Sequence, residues 1–306
     1  MDVSVIIVNY NTQKLTQQCV DSIFAKTSGL EFEVILVDNA STDGSRDCFS
    51  ADKRITYLYS EENLGFGRAN NLGAKQATGT YLFFLNSDTY LVNNAIYLLW
   101  EQMENFPREE RSRVACAGCM LTNENGEYIH SYAKFPTMWH SFLSATLYPV
   151  LWKLHFIPQM PTTSNYDFEK FGSACFDVDY ITGADLMIRK SVAERYGLFD
   201  SDFFMYSEET ELQYRYMKAG LRRVIVKEPG IVHLEGGSNK QKSPYRTTIV
   251  LRSMLLYFKK TSSSMHYVVF SFFTKAGHFL IYLLTIPFLN GDTKGKIIHL
   301  WETIRM

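Results

Sequence analysis

Three Asn or Asp residues close apolar runs in the first ninety positions: Asn9 after Val3 to Val8, Asp38 after Phe32 to Val37, and Asp88 just beyond Tyr81 to Leu85. Side chains of this kind hydrogen-bond polar ligands, and as carboxylates they hold hard cations or accept protons. One such residue after a strand is an ordinary turn former or helix cap. Three on one edge form a binding edge, because ligands of open α/β sheets sit outside the carboxyl ends of the strands. Farther on, Glu208 and Glu209 follow Ser207, which reads as an N-cap, and acids in a first helical turn gain about 0.3–1 kcal/mol each from the helix dipole. The preceding Phe203-Phe204-Met205-Tyr206 is an apolar lip that would partly bury a carboxylate and raise its basicity. His233 comes after the strand-like Arg223 to Val226 and the turn Pro229-Gly230, ahead of Gly236-Gly237; a packed histidine and a ligand in a mobile loop both suit that setting. Asp185 lies in the apolar run Ile181 to Ile188, where an unpaired carboxylate is costly, so it is expected to face a cleft.

The elements that must position these groups are legible from hydrophobic period. Val3 to Asn9, Phe32 to Val37, Ile55 to Tyr59 and Tyr81 to Leu85 read as strands, with a helical pattern at Leu15, Val20, Ile23 and Phe24 and a second from Gly65 through Ala77. Continuous apolar strands alternating with helices predict an α/β fold, a mostly parallel sheet covered on both faces. The stretch Gly65-Phe66-Gly67-Arg68-Ala69-Asn70 lacks the dinucleotide spacing and does not follow the first strand, which excludes that fold. At 306 residues and 46% hydrophobic, the chain can bury a full core. Its net charge of −1 argues against a nucleic-acid binder. The charge is unevenly spread: residues 1–212 carry 16 Lys and Arg against 28 Asp and Glu, and residues 213–306 carry 15 against 4. A basic tail of that kind suits a polyanionic partner such as a membrane surface. Val3 to Asn9 reads as a strand rather than a signal peptide, and five scattered cysteines (Cys19, Cys48, Cys116, Cys119, Cys175) suit a reducing cytoplasm. Cys116 and Cys119, in an apolar setting with no second pair, read as buried thiols rather than half a zinc site or a redox pair.

With these residues in view, the chain resembles family 2 glycosyltransferases, inverting enzymes of the GT-A fold, and most closely their bacterial rhamnosyltransferase-like branch. The matching stretches are Val3 to Asn11, Val37 to Ser45, Asn63 to Gly73, Leu85 to Thr89, Thr182 to Arg189, Phe203 to Leu212 and His233 to Ser238, in family order. The resemblance implies a GT-A catalytic domain over residues 1–240, with a nucleotide-binding half (1–90) and an acceptor-binding half (91–240), followed by a C-terminal helical extension (241–306). It implies that Val8, Asn9 and Tyr10 line the nucleotide pocket, that Asp38 with Asn39 holds a uracil or thymine base, and that Asn63, Gly65 and Asn70 shape the wall above it. Asn86, Ser87 and Asp88 would be the N-x-D variant of the D-x-D motif, with Asp88 and His233 holding Mg²⁺ or Mn²⁺ on the donor diphosphate. Glu209 would be the general base, and Gly183, Asp185 and Glu208 would meet the acceptor; Glu208 stays open as an alternative base. The chemistry suits these types. A hard cation offsets charge growing on a diphosphate leaving group, and one carboxylate suffices to deprotonate an acceptor hydroxyl in a single inverting displacement.

The resemblance also implies the partners: a uridine or deoxythymidine diphosphate sugar, rhamnose by the nearest branch, and a surface-glycan acceptor that is lipid-linked. The location it implies is cytoplasmic, peripheral on the inner face of the bacterial membrane. A homo-oligomer stays open. The processive Q-x-x-R-W signature is absent, since Gln213-Tyr-Arg-Tyr-Met217 does not fit it, so single-sugar addition is expected. A sugar nucleotidyltransferase should have a glycine-rich loop after its first strand, and Asn9 to Lys14 has none; an inactive scaffold stays as a rival because of the departures at Asn86 and Glu209. Asn123 to Gly126 predicts a turn in a hairpin at the sheet edge. Met138 to Ile157 is either a core helix or a lid. Tyr267 to Leu289 is strongly apolar but interrupted by Lys275 and His278, and its longest charge-free stretch, Ala276 to Gly291, falls short of the roughly 18 residues needed to span a bilayer. Flanked by Lys259, Lys260, Lys294, Lys296 and Arg305, it is expected to lie on anionic lipid, the alternative being a C-terminal helix pair that closes the core or a dimer contact.

Overall fold

The computed structural model describes residues 1–148, 151, 174–234, 244–285, 298, 301 and 302. In the first ninety residues strand and helix alternate at the expected places: β1 (Val3–Asn9), α1 (Gln13–Lys26), β2 (Phe32–Asn39), α2 (Ser45–Ser50), β3 (Thr56–Ser60), α3 (Phe66–Ala74) and β4 (Tyr81–Asn86). Then come β5 (Thr89–Leu91), α4 (Ala95–Asn105), α5 (Arg108–Arg111), β6 (Val114–Cys119), β7 (Tyr132–Ala133), α6 (Met138–Ala145), β8 (Cys175–Asp177), β9 (Tyr180–Ile181), β10 (Asp185–Arg189) and α7 (Lys190–Tyr196). The described chain continues with α8 (Glu208–Lys218), β11 (Arg222–Val226), β12 (Ile231–His233), α9 (Pro244–Thr261) and α10 (Ser264–Thr285).

The eight-stranded sheet has the order β3-β2-β1-β4-β10-β6-β11-β8. β3, β2, β1 and β4 run parallel, as do β6 and β11, whereas β10 is antiparallel to both its neighbours and β8 is antiparallel to β11. Successive residues of β1 and β4 point to opposite faces and both sets are buried, which is why these strands read as continuous apolar runs. One face packs Val5, Ile7, Leu36 and Phe83 on Val20 and Ile23 of α1 and Leu99 and Met103 of α4. The other packs Ile6, Phe84 and Ile188 on Ala74 of α3, Val192 of α7 and Leu212 and Tyr216 of α8. Each fully buried Phe contributes about 1.5–3 kcal/mol.

A third apolar cluster joins the C-terminal helices to the sheet domain through Phe203, Leu251, Leu255, Phe258 and Phe270, with the Phe258 and Phe270 rings 4.7 Å apart. Among the described residues no helix is long and apolar enough to cross a membrane.

Three local expectations change. The turn at Asn123 to Gly126 forms, but only one bridge, Thr122 to Tyr128, follows it, and β6 lies inside the sheet rather than at its edge. Ile181 to Ile188 is not one strand: a turn at Gly183-Ala184 separates β9 from β10. α3 ends at Ala74 rather than Ala77. Of Met138 to Ile157, α6 packs Met138 and Phe142 on the third cluster, and most of the remainder lies outside the described residues, as do Gly236-Gly237, Pro287, Lys294, Lys296 and Arg305. All five cysteines are free, and burial pushes the Cys116 thiol up to about 12 and raises that of Cys119, in keeping with buried, unreactive thiols.

Candidate active site

The carboxyl ends of β1, β2 and β4 meet at one edge, and antiparallel β10 brings its amino end to the same place, with Asp185 opposite Leu85. The Asn86 N–H donates to Ala184 O at 2.9 Å, tying the β4 end to the turn before β10. Among the described residues the four non-glycine residues with left-handed backbone are Asn11, Ala40, Tyr206 and Ser207. All four lie in loops at this edge, where each costs about 1–3 kcal/mol that the surrounding contacts must offset.

A cavity of about 720 Å³ opens over the edge. Val8, Tyr10, Asn39, Asn63, Gly65, Asn86, Ser87, Asp88, Gly183, Glu208, Glu209 and His233 of the expected site residues line it. Asn39 is the post of its upper wall: its Nδ2 donates to Asn63 Oδ1 (3.0 Å) and Gly65 O (3.3 Å), and its Oδ1 accepts from Leu64 N–H (2.8 Å). Gly65 has φ +79°, and a Cβ there would meet Phe204 O at 2.0 Å. Phe66 N–H donates to that same carbonyl at 2.8 Å, so the wall and the 203–206 lip are joined by main chain.

Asn9, Asp38, Asn70 and Asp185 are not on the cavity wall. Asn9 is buried, donating to Ser41 Oγ (3.0 Å) and accepting from the Thr12 and Thr16 hydroxyls (2.8 Å each). Asp38 is buried too, accepting from Ser41 N–H (3.0 Å) and the Tyr57 hydroxyl (2.8 Å). Together they fix the loops after β1 and β2 against each other. Asn70 donates to Phe66 O within α3. Asp185 does not face the cleft: it is fully buried, accepts from Cys119 N–H, and leaves Oδ1 without a hydrogen-bond partner. Burial raises its carboxyl to about 7.

Asp88 and His233 come together through a two-stranded ribbon. β12 pairs antiparallel with β5, setting His233 opposite Thr89, and Leu234 N–H donates to Asp88 O at 2.9 Å. His233 Nε2 then lies 3.2 Å from Asp88 Oδ1, with both side chains largely buried. A carboxylate oxygen beside an imidazole nitrogen at the wall of the cavity fits a divalent cation. Among the described residues no third His, Cys, Asp or Glu joins the pair, so phosphate oxygens and water would complete the coordination.

Glu208 and Glu209 open α8. Ser207 does not cap it: its backbone is left-handed and its side chain makes no cap bond, although its carbonyl accepts from Glu211 N–H at 2.8 Å. Glu208 is buried with Oε2 lacking a hydrogen-bond partner. Burial and the neighbouring Glu209 hold its carboxyl well above the ordinary carboxylate range. Glu209 is partly open to the cavity, its Oε1 accepting from Thr210 Oγ1 at 3.3 Å, and burial raises its carboxyl as well.

Several wall residues have no counterpart among the expected ones: Thr12, Phe66, His130, Tyr180, Thr182 and, from α9, Tyr245, Arg246 and Ile249. Arg246 is the one Arg or Lys among the described wall residues, and its guanidinium lies 5.6 Å from the centre of the Tyr206 ring. Ser253 Oγ of the same helix donates to Met205 O at 2.7 Å. The basic composition of the tail was the available signal for this helix.

Residues 4–197 match the family model described as Glycosyl transferase family 2. The chain is 28% identical over 244 residues to the O-antigen biosynthesis protein RfbC of Myxococcus xanthus, covering 78% of this chain but 18% of that protein. It is 26% identical over 212 residues to the N-acetylglucosaminyl-diphospho-decaprenol L-rhamnosyltransferase of Mycobacterium tuberculosis, covering 65% of this chain and 66% of that one. The chain thus spans less than two thirds of the length of the Myxococcus relative and just under two thirds of the mycobacterial one. In fold it is similar to GalNAc-T7 solved with UDP, GalNAc and Mn²⁺ (TM-score 0.58, 16% identity, 85% of this chain and 48% of that one). It is also similar to the mannosyltransferase PcManGT of Pyrobaculum calidifontis in complex with GDP-Man and Mn²⁺ (TM-score 0.56, 13% identity, 99% and 86%).

Proposed function

The chain belongs to glycosyl transferase family 2, and from that premise we propose that it moves a sugar from a uridine or deoxythymidine diphosphate donor to a hydroxyl of a lipid-linked surface-glycan acceptor, inverting the anomeric centre. The observation that carries this reading is the Asp88–His233 pair facing the same cavity as Glu209. The wall of Tyr10, Asn39, Asn63 and Gly65 takes the nucleoside end of the donor. Asp88 and His233 hold Mg²⁺ or Mn²⁺, which when bound offsets the charge developing on the departing diphosphate. Glu209 takes the proton from the acceptor hydroxyl as that oxygen attacks from the side opposite the diphosphate. Two adjacent carboxyls in one low-dielectric site do not both ionise easily. Glu208, the more deeply buried, keeps its proton and donates a hydrogen bond toward the acceptor, while Glu209 supplies the base.

A lipid-borne acceptor is supported by the diphospho-decaprenol in the name of the mycobacterial relative, and rhamnose is the donor sugar that the same relative favours. Such an acceptor puts the reaction at the inner face of the bacterial membrane.

The test is a donor panel with Mn²⁺, scored for nucleoside diphosphate release. Glu209→Gln is expected to lower turnover by about 10²–10⁴-fold while donor affinity stays within about twofold. Asp88→Asn, or chelation of the wild type, is expected to abolish turnover. Pyrophosphate as the product would point instead to a nucleotidyltransferase, and wild-type rates in the Glu209 variant, or full activity under chelation, would remove the mechanism.

A further inference from the structure

Helix α10 is built inside out. Its protein-facing side carries Phe270, Ser271, Thr274 and His278, all buried, with His278 Nδ1 3.0 Å from Ala145 O of α6. Three of those four are polar. Its outward side carries Met265 (71% exposed), Val268 (63%), Val269 (53%), Phe272 (66%), Phe273 (57%) and Leu280 (55%). At about 100° per residue these six fall within an arc of about 140°, directly opposite the buried set. A surface helix in water shows the reverse arrangement, and a contiguous exposed apolar face of this kind marks an interaction surface.

The surrounding charge identifies the occupant. α10 carries Lys275 and no Asp or Glu, and Lys259 is exposed near the end of α9, whereas Lys260 is paired with Asp200 and Asp202 and Arg252 with Glu302. Lys275 sits at the edge of the apolar arc, partly buried, where its stem can lie along the helix and its ammonium reach outward. Two copies of this chain meeting through α10, which carries Lys275 and no Asp or Glu, would gain no ion pair between the two helices. A bilayer bearing anionic headgroups complements both features, taking the apolar stripe among its acyl chains and the cations at its phosphates.

We infer that the outward face of α10 docks in the plane of an anionic lipid bilayer. The helix does not cross it. α9 packs on α10 through Phe258 and Phe270 and lines the cavity with Tyr245, Arg246 and Ile249, so docking holds the cavity at a fixed height above the lipid. This deepens the peripheral location in the reading above, but it is tested without turnover, so the two can fail separately.

The experiment is flotation of the full chain with vesicles of phosphatidylcholine alone or with about one third phosphatidylglycerol, at low and high salt. The comparison is the variant Val268→Ser/Val269→Ser/Phe272→Ser/Phe273→Ser, whose changed side chains point away from the core; an unchanged thermal midpoint confirms its fold. The wild type is expected to float with the anionic vesicles, less so at high salt, and the variant's recovery to fall about tenfold or more. Lys275→Glu should weaken flotation on anionic vesicles without altering the fold. Three results would overturn the inference: a wild type that stays at the bottom with both lipids, a variant that floats as well as the wild type, or a variant that only converts a dimer to a monomer in sedimentation.

Discussion

The two adjacent glutamates at the start of α8 differ in role because they differ in surroundings. Glu208 is enclosed, and its folded-state carboxyl keeps its proton far above the ordinary value of 4.5. Over that window the folded chain binds more protons than the unfolded one, so folding stability falls as pH rises above about 4.5. Glu208→Gln is therefore expected to match the wild type in thermal midpoint near about pH 4. Near about pH 8 it should exceed the wild type by on the order of 1 kcal/mol, about 2 °C or more. A pH-independent difference between the two proteins would mean that Glu208 is ionised in the fold. Glu209, raised less deeply in the protein, sets the acidic limb of activity: kcat/KM should fall with acid at a pH above 4.5.

At the scale of elements, the junction between the amino end of α3 and the lip before α8 is the tightest contact of the site. Gly65 supplies a left-handed backbone and lies beneath the Phe204 carbonyl, where any Cβ clashes with main chain. Gly65→Ala is expected to cost about 1–3 kcal/mol, read as a lower denaturant midpoint, and to reduce turnover by moving the lip; a neutral midpoint would mean that the lip yields freely. Hydrophobic period revealed the alternating strands and helices up to β4, because β1, β2 and β4 are buried on both faces and each helix on one, while β3 is a half-exposed edge strand. It did not reveal what depends on pairing between distant segments. Asp88 and His233 carry no spacing signal, since the three-residue strands β5 and β12 bring them together. Gly183-Ala184 breaks an apolar run that reads as one strand because β9 leaves the main sheet to pair with β7. Ser207 has the residue type of a cap but not the backbone of one. Asn9 and Asp38 occupy the expected edge, yet the hydrogen bonds of Ser41 and Tyr57 commit them to the loops behind the wall.

At the scale of the whole molecule, the cavity is not complete within residues 4–197, which match the family. Removing everything from Pro244 onward would strip Tyr245, Arg246 and Ile249 from the wall and uncover Phe203, taking away the apolar partners Leu251, Leu255, Phe258 and Phe270. At about 1.5–3 kcal/mol for each buried side chain, several kcal/mol of stabilisation go with them. The shortened chain is expected to melt lower and to lose turnover, and retention of both would show that the C-terminal helices are dispensable to the site.

The reversed strand β10 lies between β4 and β6, so the parallel strands before it and those after it never touch. During synthesis this has a cost in time. β4 is complete at Asn86, but its neighbour begins only at Asp185, about a hundred residues later, which at about 5–20 residues per second is roughly 5–20 s on the ribosome. Through that interval the edge formed by Tyr81 to Asn86 presents unsatisfied main-chain donors and acceptors along one of the most apolar strands of the protein, a template on which another nascent chain can add.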